Sequence, residues 1–464
     1  MAESLSITAS AVDPGLLQLP WSTGLADWPS SHIVALPKGI SRHLVRFANL
    51  SGRVVAIKET TEEMARREYD MLGNLDRLAA PCVDRVAVIA GRTDASGRPL
   101  PAALVTAHLK FSLPYRALFT QVLRPHTATR LVDALAVLLV RLHNVGFYWG
   151  DVSLSNTLFR RDAGEFAAYL VDAETGELHG NRLTPGQRAH DLDIARTNIA
   201  GEIMDLEAGG RLEGGVDAIA IADGLVSSYH SLWGALTDKE TFAVDESWRI
   251  TERVHRLNAL GFDIGEMSIK TASDGTQVSI QPKVVDAGHH QRRLLRLTGL
   301  DVEENQARRL LNDLDEFRAR VSRLGADEEM VAHEWLTRVF EPIVMAIPFD
   351  LRAKLEPAEV FHQVLEHRWY MSQARGRSVP LAEVVTSYID DVLRHRRDEA
   401  TVMGPPTDTM SLATIADAAA PATGEVPTTD TDVIDWGYPG RRPEEGVAPG
   451  GAGAAWSSGS VAAG

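Results

Sequence analysis

Five polar side chains stand in an order that suits the handling of a nucleoside triphosphate. The run VVAIKE presents Lys58, and Glu68 follows ten residues later in MARREYDML. Asp151 and Asn156 lie five apart in LHNVGFYWGDVSLSNTLF, and in YLVDAET a strand-like run ends at Asp172. Moving a phosphoryl group is mostly positioning and charge stabilisation. It needs a cation on the phosphates, hard oxygen ligands for Mg²⁺ and a carboxylate beside the acceptor hydroxyl. Lys58 would supply the cation and Glu68 would hold it by an ion pair. Asn156 and Asp172 would offer metal ligands, and Asp151 would orient or deprotonate the acceptor.

These residues need elements to position them. Three short strand-like runs, His32–Leu36, His43–Ala48 and Arg53–Glu59, are broken by Pro37-Lys38-Gly39 and Ser51-Gly52, a hairpin signal. Thr60 and Thr61 with Glu62 and Glu63 open a helix through Leu78, acid-rich in its first turn as the macrodipole favours. Val83–Ala90 and Ala102–Leu109 read as two more strands around a turn at Asp94–Gly97. Thr127–His143 has apolar residues on every face, the pattern of a buried helix. The fold class predicted is α+β: a lead-in segment at 1–29, a five-strand, one-helix lobe, then a mainly helical lobe, together spanning 30–235. A third region, 240–398, pairs a hairpin over Glu266–Val284, turning at Ser273-Asp274-Gly275, with amphipathic helices. From 400 to 464 Ala, Gly, Pro, Thr and Asp dominate, a composition expected to be disordered.

The motifs of residues 30–235 resemble the protein-kinase-like superfamily, and most closely its atypical branch of RIO-type, aminoglycoside-phosphotransferase-type and lipopolysaccharide-core kinases. VAIK with Lys58 resembles the strand-three lysine motif. DVSLSN resembles the atypical catalytic loops, with Ser153 two residues after the catalytic aspartate. LVDAET stands where the metal-binding Asp-Phe-Gly motif falls, with Ala173 and Glu174 in place of Phe and Gly. AHDLDIARTNIAG resembles the helix whose aspartate braces the catalytic loop, making Asp191 the structural brace. The resemblance implies a two-lobed kinase-like fold that uses ATP and Mg²⁺. Ala107 and Leu109, closing the fifth strand, join Lys58 as candidate nucleotide-binding positions. The whole layout also resembles an uncharacterised bacterial family known only as a domain of unknown function, in which a kinase-like half precedes a helical C-terminal domain.

The sequence departs from that pattern in three further places. It has no glycine-rich loop; the matching turn is LPKGISRH, where Lys38, Gly39, Ser41 and Arg42 are the candidate phosphate contacts. Trp149-Gly150 replaces the usual His-Arg, which removes the arginine that reads activation-loop phosphorylation. Ser153 replaces the lysine of protein Ser/Thr kinases. Each motif alone also has an ordinary reading: a surface lysine on a strand, a turn stabilised by Asp151 and Asn156, a strand capped by Asp172. Their order, each in the expected kind of element, favours the joint reading. In the third region PKVVDAGHHQRRLLRLTG gathers Lys283, His289, His290, Arg292, Arg293 and Arg296. Paired arginines suit phosphate, but a solvated helix face backed by Leu294, Leu295 and Leu297 is the preferred account. Trp335, Phe340 and Ile343 read as core.

Composition narrows the classes. The 464 residues are 44% hydrophobic and 24% charged, enough to bury a sizeable core. A formal net charge of -16 argues against a broad nucleic-acid surface. Cys82 is the only cysteine, so no intramolecular disulfide can form, which fits a reducing compartment. No run approaches the ~20 apolar residues of a membrane span, and a cytoplasmic location is expected. The functional expectation is a Mg²⁺- and ATP-dependent phosphotransferase acting on a hydroxyl. Its rivals are a nucleotide-binding, pseudokinase-type regulatory or scaffold protein and, less favoured, a nucleotidyl transferase. The acceptor is unassigned, and the C-terminal domain is a candidate surface for a protein partner.

Overall fold

The computed structural model describes residues 4–34, 43–118, 125–180, 182–210, 217–271, 276–321, 327–396 and 398–399. Lys38, Gly39, Ser41 and Arg42, the Ser273-Asp274-Gly275 turn and the tail from residue 400 lie outside them. The first lobe contains β1 (Ser6–Ala9), β2 (Ile33–Val34), β3 (Val45–Leu50), β4 (Arg53–Thr60), α1 (Glu62–Arg77), β5 (Arg85–Ala90) and β6 (Ala102–Ala107). These strands make one antiparallel sheet in the order β1-β5-β6-β4-β3-β2. Strand alternation on β4 sends Val55 and Ile57 into the core and turns Ala56 and Lys58 to the opposite face. Thr61 caps α1 by accepting from the Met64 amide.

The sheet has six strands where five were expected, because the lead-in segment contributes β1 and packs. Leu16, Trp21, Leu25 and Trp28 are all buried against β3–β6. Arg92 ties them down: it donates to the Trp21, Thr23 and Pro101 carbonyls and pairs with Glu59 at 2.8 Å. Tryptophans spread through a Pro- and Ser-rich stretch have no strand or helix period, so their burial left no periodic signal.

The second lobe follows: β7 (Ser112–Pro114), α2 (Tyr115–Leu118), α3 (Pro125–Asn144), β8 (Phe147–Tyr148), β9 (Thr157–Asp162), β10 (Glu165–Leu170), β11 (Glu177–Leu178), α4 (Pro185–Ala208) and α5 (Ala218–Thr237). Leu131, Leu135, Leu138, Leu139 and Leu142 of α3 are essentially inaccessible, the centre of the largest apolar cluster. The chain thus has the two-lobed α+β arrangement expected of it.

The third region divides in two. β12 (Glu240–Ala243), α6 (Trp248–Ala259), β13 (Phe262–Thr271) and β14 (Gln277–Ala287) form a small sheet with a helix. Leu257, Phe262 and Val285 belong to the same apolar cluster as α3. Beyond them α7 (His289–Thr298), α8 (Glu304–Val321), α9 (Glu328–Trp335), α10 (Glu341–Met345), α11 (Pro357–Arg375) and α12 (Leu381–Ser387) enclose their own core. There Trp335, Phe340 and Ile343 are buried, as predicted.

Those helices grip the β9–β10 hairpin of the second lobe. Asp162, at the hairpin's tip and 3% exposed, accepts from the Gln306 amide at 2.7 Å and from Asn305 Nδ2 at 2.8 Å. Arg160 pairs with Glu303 at 2.8 Å and also with Glu356, and Arg161 pairs with Glu399 at 2.9 Å. No helix among the described residues is long and apolar enough to cross a membrane.

Candidate functional site

The cleft between the two lobes gathers Lys58, Glu68, Asp151, Asn156 and Asp172. Lys58 Nζ lies 2.7 Å from Glu68 Oε2 and 3.1 Å from Asp172 Oδ2. Glu68 arrives from α1, on the buried face it shares with Ala65, Tyr69 and Leu72. Asp172 arrives two residues after β10, and Asn156 immediately precedes β9, so one hairpin delivers both. The Asn156 side-chain amide donates to the Asp151 carbonyl at 3.0 Å and to its carboxylate at 3.1 Å. This leaves Asn156 Oδ1 as the atom able to ligate a cation.

Asp191 sits beneath the loop. Fully buried, it accepts from the Trp149 amide at 2.8 Å and the Gly150 amide at 2.7 Å, and it contacts His143 Nε2 at 3.1 Å. His143 in turn meets the Tyr229 hydroxyl at 2.8 Å. Gly150 has a φ of +77°, a left-handed conformation that other residues adopt only with strain. The Trp149 ring, fully buried, donates to the Asp172 carbonyl at 3.0 Å and so ties this loop to the segment after β10.

Several participants were missed. Glu174, noted only as a departure from a motif, turns inward, with Oε2 3.1 Å from Lys58 Nζ and 3.1 Å from His43 Nε2. Glu202 caps the loop by accepting from the Leu154 amide at 2.8 Å and the Ser155 amide at 2.9 Å, and Asn198 donates to the Val152 carbonyl at 3.0 Å. Asp191, Asn198 and Glu202 are spaced seven and four apart, one polar stripe along α4. That stripe was the available signal.

Burial opposes the charge on Lys58, but the carboxylates of Glu68, Asp172 and Glu174 outweigh it and hold the ammonium well above its ordinary pKa. Burial and the Asp172 charge push the Glu68 carboxyl up to about 7 against the pull of Lys58. Three carboxylates around one ammonium leave an excess of negative charge, which a divalent cation would neutralise. Oxygens of Glu68, Asp172 and Glu174 lie within 4.8 Å of one another.

Two cavities meet here. The first, about 370 Å³, is lined by apolar side chains including Leu44, Val45, Phe47, Ala56, Leu104 and Val171, and by Lys58, Asn156 and Asp172. Ala107 lines it; Leu109 lies outside that lining. Burial drops the His108 imidazole, also on its wall, to about 4. The second, about 480 Å³, shares Asn156 and Asp172 and adds Asp151, Ser153, Thr175 and Asn198. An apolar slot opening onto hard oxygen donors and one ammonium fits a base, its phosphates and a Mg²⁺ ion.

Most of the basic stretch of the third region is engaged by carboxylates. His290 meets Glu304 at 2.7 Å, Arg293 meets Glu328 at 2.7 Å and Lys283 meets Glu266 at 3.3 Å; His289 and Arg292 both bond Asp263. Leu294 and Leu297 are buried behind it as expected, but Leu295 is 44% exposed and does not pack there. In α7, Leu294 and Leu297 are three apart on one face, and Leu295 is turned about 100° away from Leu294.

Residues 231–393 match the family model described as "Domain of unknown function (DUF4032)". Among solved structures, the chain is similar to one described as WaaP in complex with acyl carrier protein. That match has 16% identity and a TM-score of 0.25, and covers 42% of this chain and 89% of the other. It is also similar to an aminoglycoside-3'-phosphotransferase of type VIII, with 15% identity and a TM-score of 0.28, covering 44% of this chain and 95% of that one. No curated protein matches the chain.

Proposed function

We propose that the protein is a Mg²⁺- and ATP-dependent phosphotransferase acting on a hydroxyl acceptor. The observation that carries this reading is the Lys58 ammonium held between Glu68 and Asp172 where an apolar slot meets a second, polar cavity containing Asp151. The adenine would occupy the slot beside Ala107, with the phosphates toward Lys58. Asn156 and Asp172 would hold the metal, which when bound neutralises phosphate charge. Asp151 would accept the proton of the attacking hydroxyl. The new bond forms between that oxygen and the γ-phosphorus, and the bond to the β-phosphate oxygen breaks to release ADP.

The proposed kinase-like domain spans residues 30–235, and the helices of 240–398 brace it and offer a surface for a protein partner. A cytoplasmic setting suits the lone thiol of Cys82, which burial pushes up to about 12 and so keeps unreactive. A second reading, a nucleotide-responsive regulatory or scaffold protein, is favoured by one observation: Glu174 already occupies Lys58.

Thermal melts with and without Mg·ATP test both readings. Ligand at 100 times its Kd should stabilise the protein by ~2.7 kcal/mol, and identical melts would refute both. Transfer of label from γ- but not α-labelled ATP to an acceptor separates the phosphotransferase from the scaffold and from a nucleotidyl transferase.

A further inference from the structure

A third cavity, about 570 Å³, lies where the second lobe meets the third region. It shares no lining residue with the two cavities of the cleft. The end of α3, strand β10, the turn between α6 and β13 and the first turns of α7 and α8 surround it. Part of its wall is apolar, and two apolar residues there, Val137 and Leu260, are 41% and 47% exposed.

The charges on its wall are unevenly satisfied. Glu303 is engaged by Arg160 and by the Tyr169 hydroxyl, the latter at 2.7 Å. Glu304 is engaged by His290 and by two amides of α7. Asp162 has its three N–H donors from Asn305 and Gln306. Asp76 and Asp301 are exposed. Arg292 is committed to Asp263. Two further guanidiniums, among the described residues, hydrogen-bond only carbonyls, Arg141 to Ala79 at 3.2 Å and Arg308 to Ala259 at 3.3 Å, while the charges of Glu303 and Glu304 act on Arg141 and that of Glu165 on Arg308 without a direct bond. A guanidinium presents five N–H donors in a planar fork that matches a carboxylate or phosphate. Both arginines therefore keep N–H donors that no side chain accepts from, on a half-apolar cavity whose buried acids have hydrogen-bond donors of their own.

We propose that this cavity is a second ligand site, for a small amphiphilic anion: a carboxylate or phosphate on an apolar body. The anionic head pairs with Arg141 and Arg308, and the apolar body lies along Val137, Leu138, Phe166 and Leu260. The site is independent of phosphotransfer and would persist if the cleft proved to have another role.

The test uses the full chain and the amphiphilic anion 8-anilinonaphthalene-1-sulfonate as a fluorescent probe. Expected is saturable binding at one site per chain, undisturbed by Mg·ATP. Arg141→Gln and Arg308→Gln should each weaken it about tenfold, the size of one lost charge-assisted contact, while Arg141→Lys retains part of it. Octyl phosphate should displace the probe and 1-octanol should not. Circular dichroism melts establish that each variant is folded; should Arg141→Gln fail to fold, Arg308→Gln and Arg141→Lys decide the matter. The proposal falls if there is no saturable binding, if affinity is unchanged in the folded arginine variants, if Mg·ATP displaces the probe, or if octanol competes as well as octyl phosphate.

Discussion

The Glu174 carboxylate stands 3.1 Å from the Lys58 ammonium, the same distance as the Asp172 carboxylate. A phosphate approaching Lys58 without metal therefore meets a carboxylate already in contact with its target. Glu174→Gln removes that like charge. Metal-free ATP should bind about tenfold more tightly to the variant, the worth of roughly one charged contact, and added Mg²⁺ should improve binding less than in wild type. Calorimetric titration with and without Mg²⁺ checks this; equal metal-free affinities in the two proteins would remove Glu174 from the phosphate-binding space.

Asp151 and Asp172 should separate binding from transfer. Asp151→Asn is expected to keep the Mg·ATP-induced rise in melting temperature and to lower transfer by about 10²–10⁴, the usual worth of a positioned acid or base. Asp172→Ala is expected to lose the metal-dependent part of that rise. Labelled-ATP transfer and thermal melts run on the same preparations distinguish the two, and wild-type turnover in Asp151→Asn would strip Asp151 of its proposed role.

Asp191→Ala leaves two amides and a histidine without their buried acceptor. With about 1–3 kcal/mol lost for each orphaned buried group, urea unfolding should show a loss of at least about 3 kcal/mol. Asp191→Asn keeps one acceptor oxygen and should lose less. A loss under 1 kcal/mol in the alanine variant would mean that water or a shifted side chain takes the place of the carboxylate.

His108 gives a pH dependence with a definite sign. Burial lowers its folded pKa to about 4 from an ordinary value near 6.5, so below 6.5 the unfolded chain binds the proton that the folded chain refuses. Its contribution is complete above pH 6.5 and is lost as pH falls toward 4. Melting temperatures from pH 7.5 to 5 should decline less steeply in His108→Gln than in wild type. Parallel curves would show that His108 does not titrate between the two states.

Much of this arrangement was legible because the polar residues of the cleft follow one another along the chain, each in an element that sequence patterning identifies. Strand alternation turns Lys58 out of the core, and the loop and hairpin that follow carry Asp151, Asn156 and Asp172 in sequence. What escaped had no period or spacing to announce it. Glu174 counts in the cleft through the turn after Asp172, where Gly176 is required because a Cβ there would stand 2.3 Å from Phe147. Trp21 and Trp28 lie in a stretch without regular repeats and are recognisable as core only once Arg92 is seen across the sheet. The α4 stripe of Asp191, Asn198 and Glu202 was readable, but only Asp191 had a motif to name it.

The grip on the β9–β10 hairpin limits how this chain can be divided. A fragment ending near residue 240 would strip Asp162, Arg160 and Arg161 of Asn305, Gln306, Glu303, Glu356 and Glu399, leaving an acid and two bases without counterparts at the tip of the strand pair that carries Asn156 and Asp172. Removing one partner of a buried charge costs several kcal/mol, a large share of what keeps a domain folded. Recombination that moved the first half of the gene to a new neighbour would therefore have to bring the far segment along or replace those five partner residues, which binds the two halves into one heritable piece.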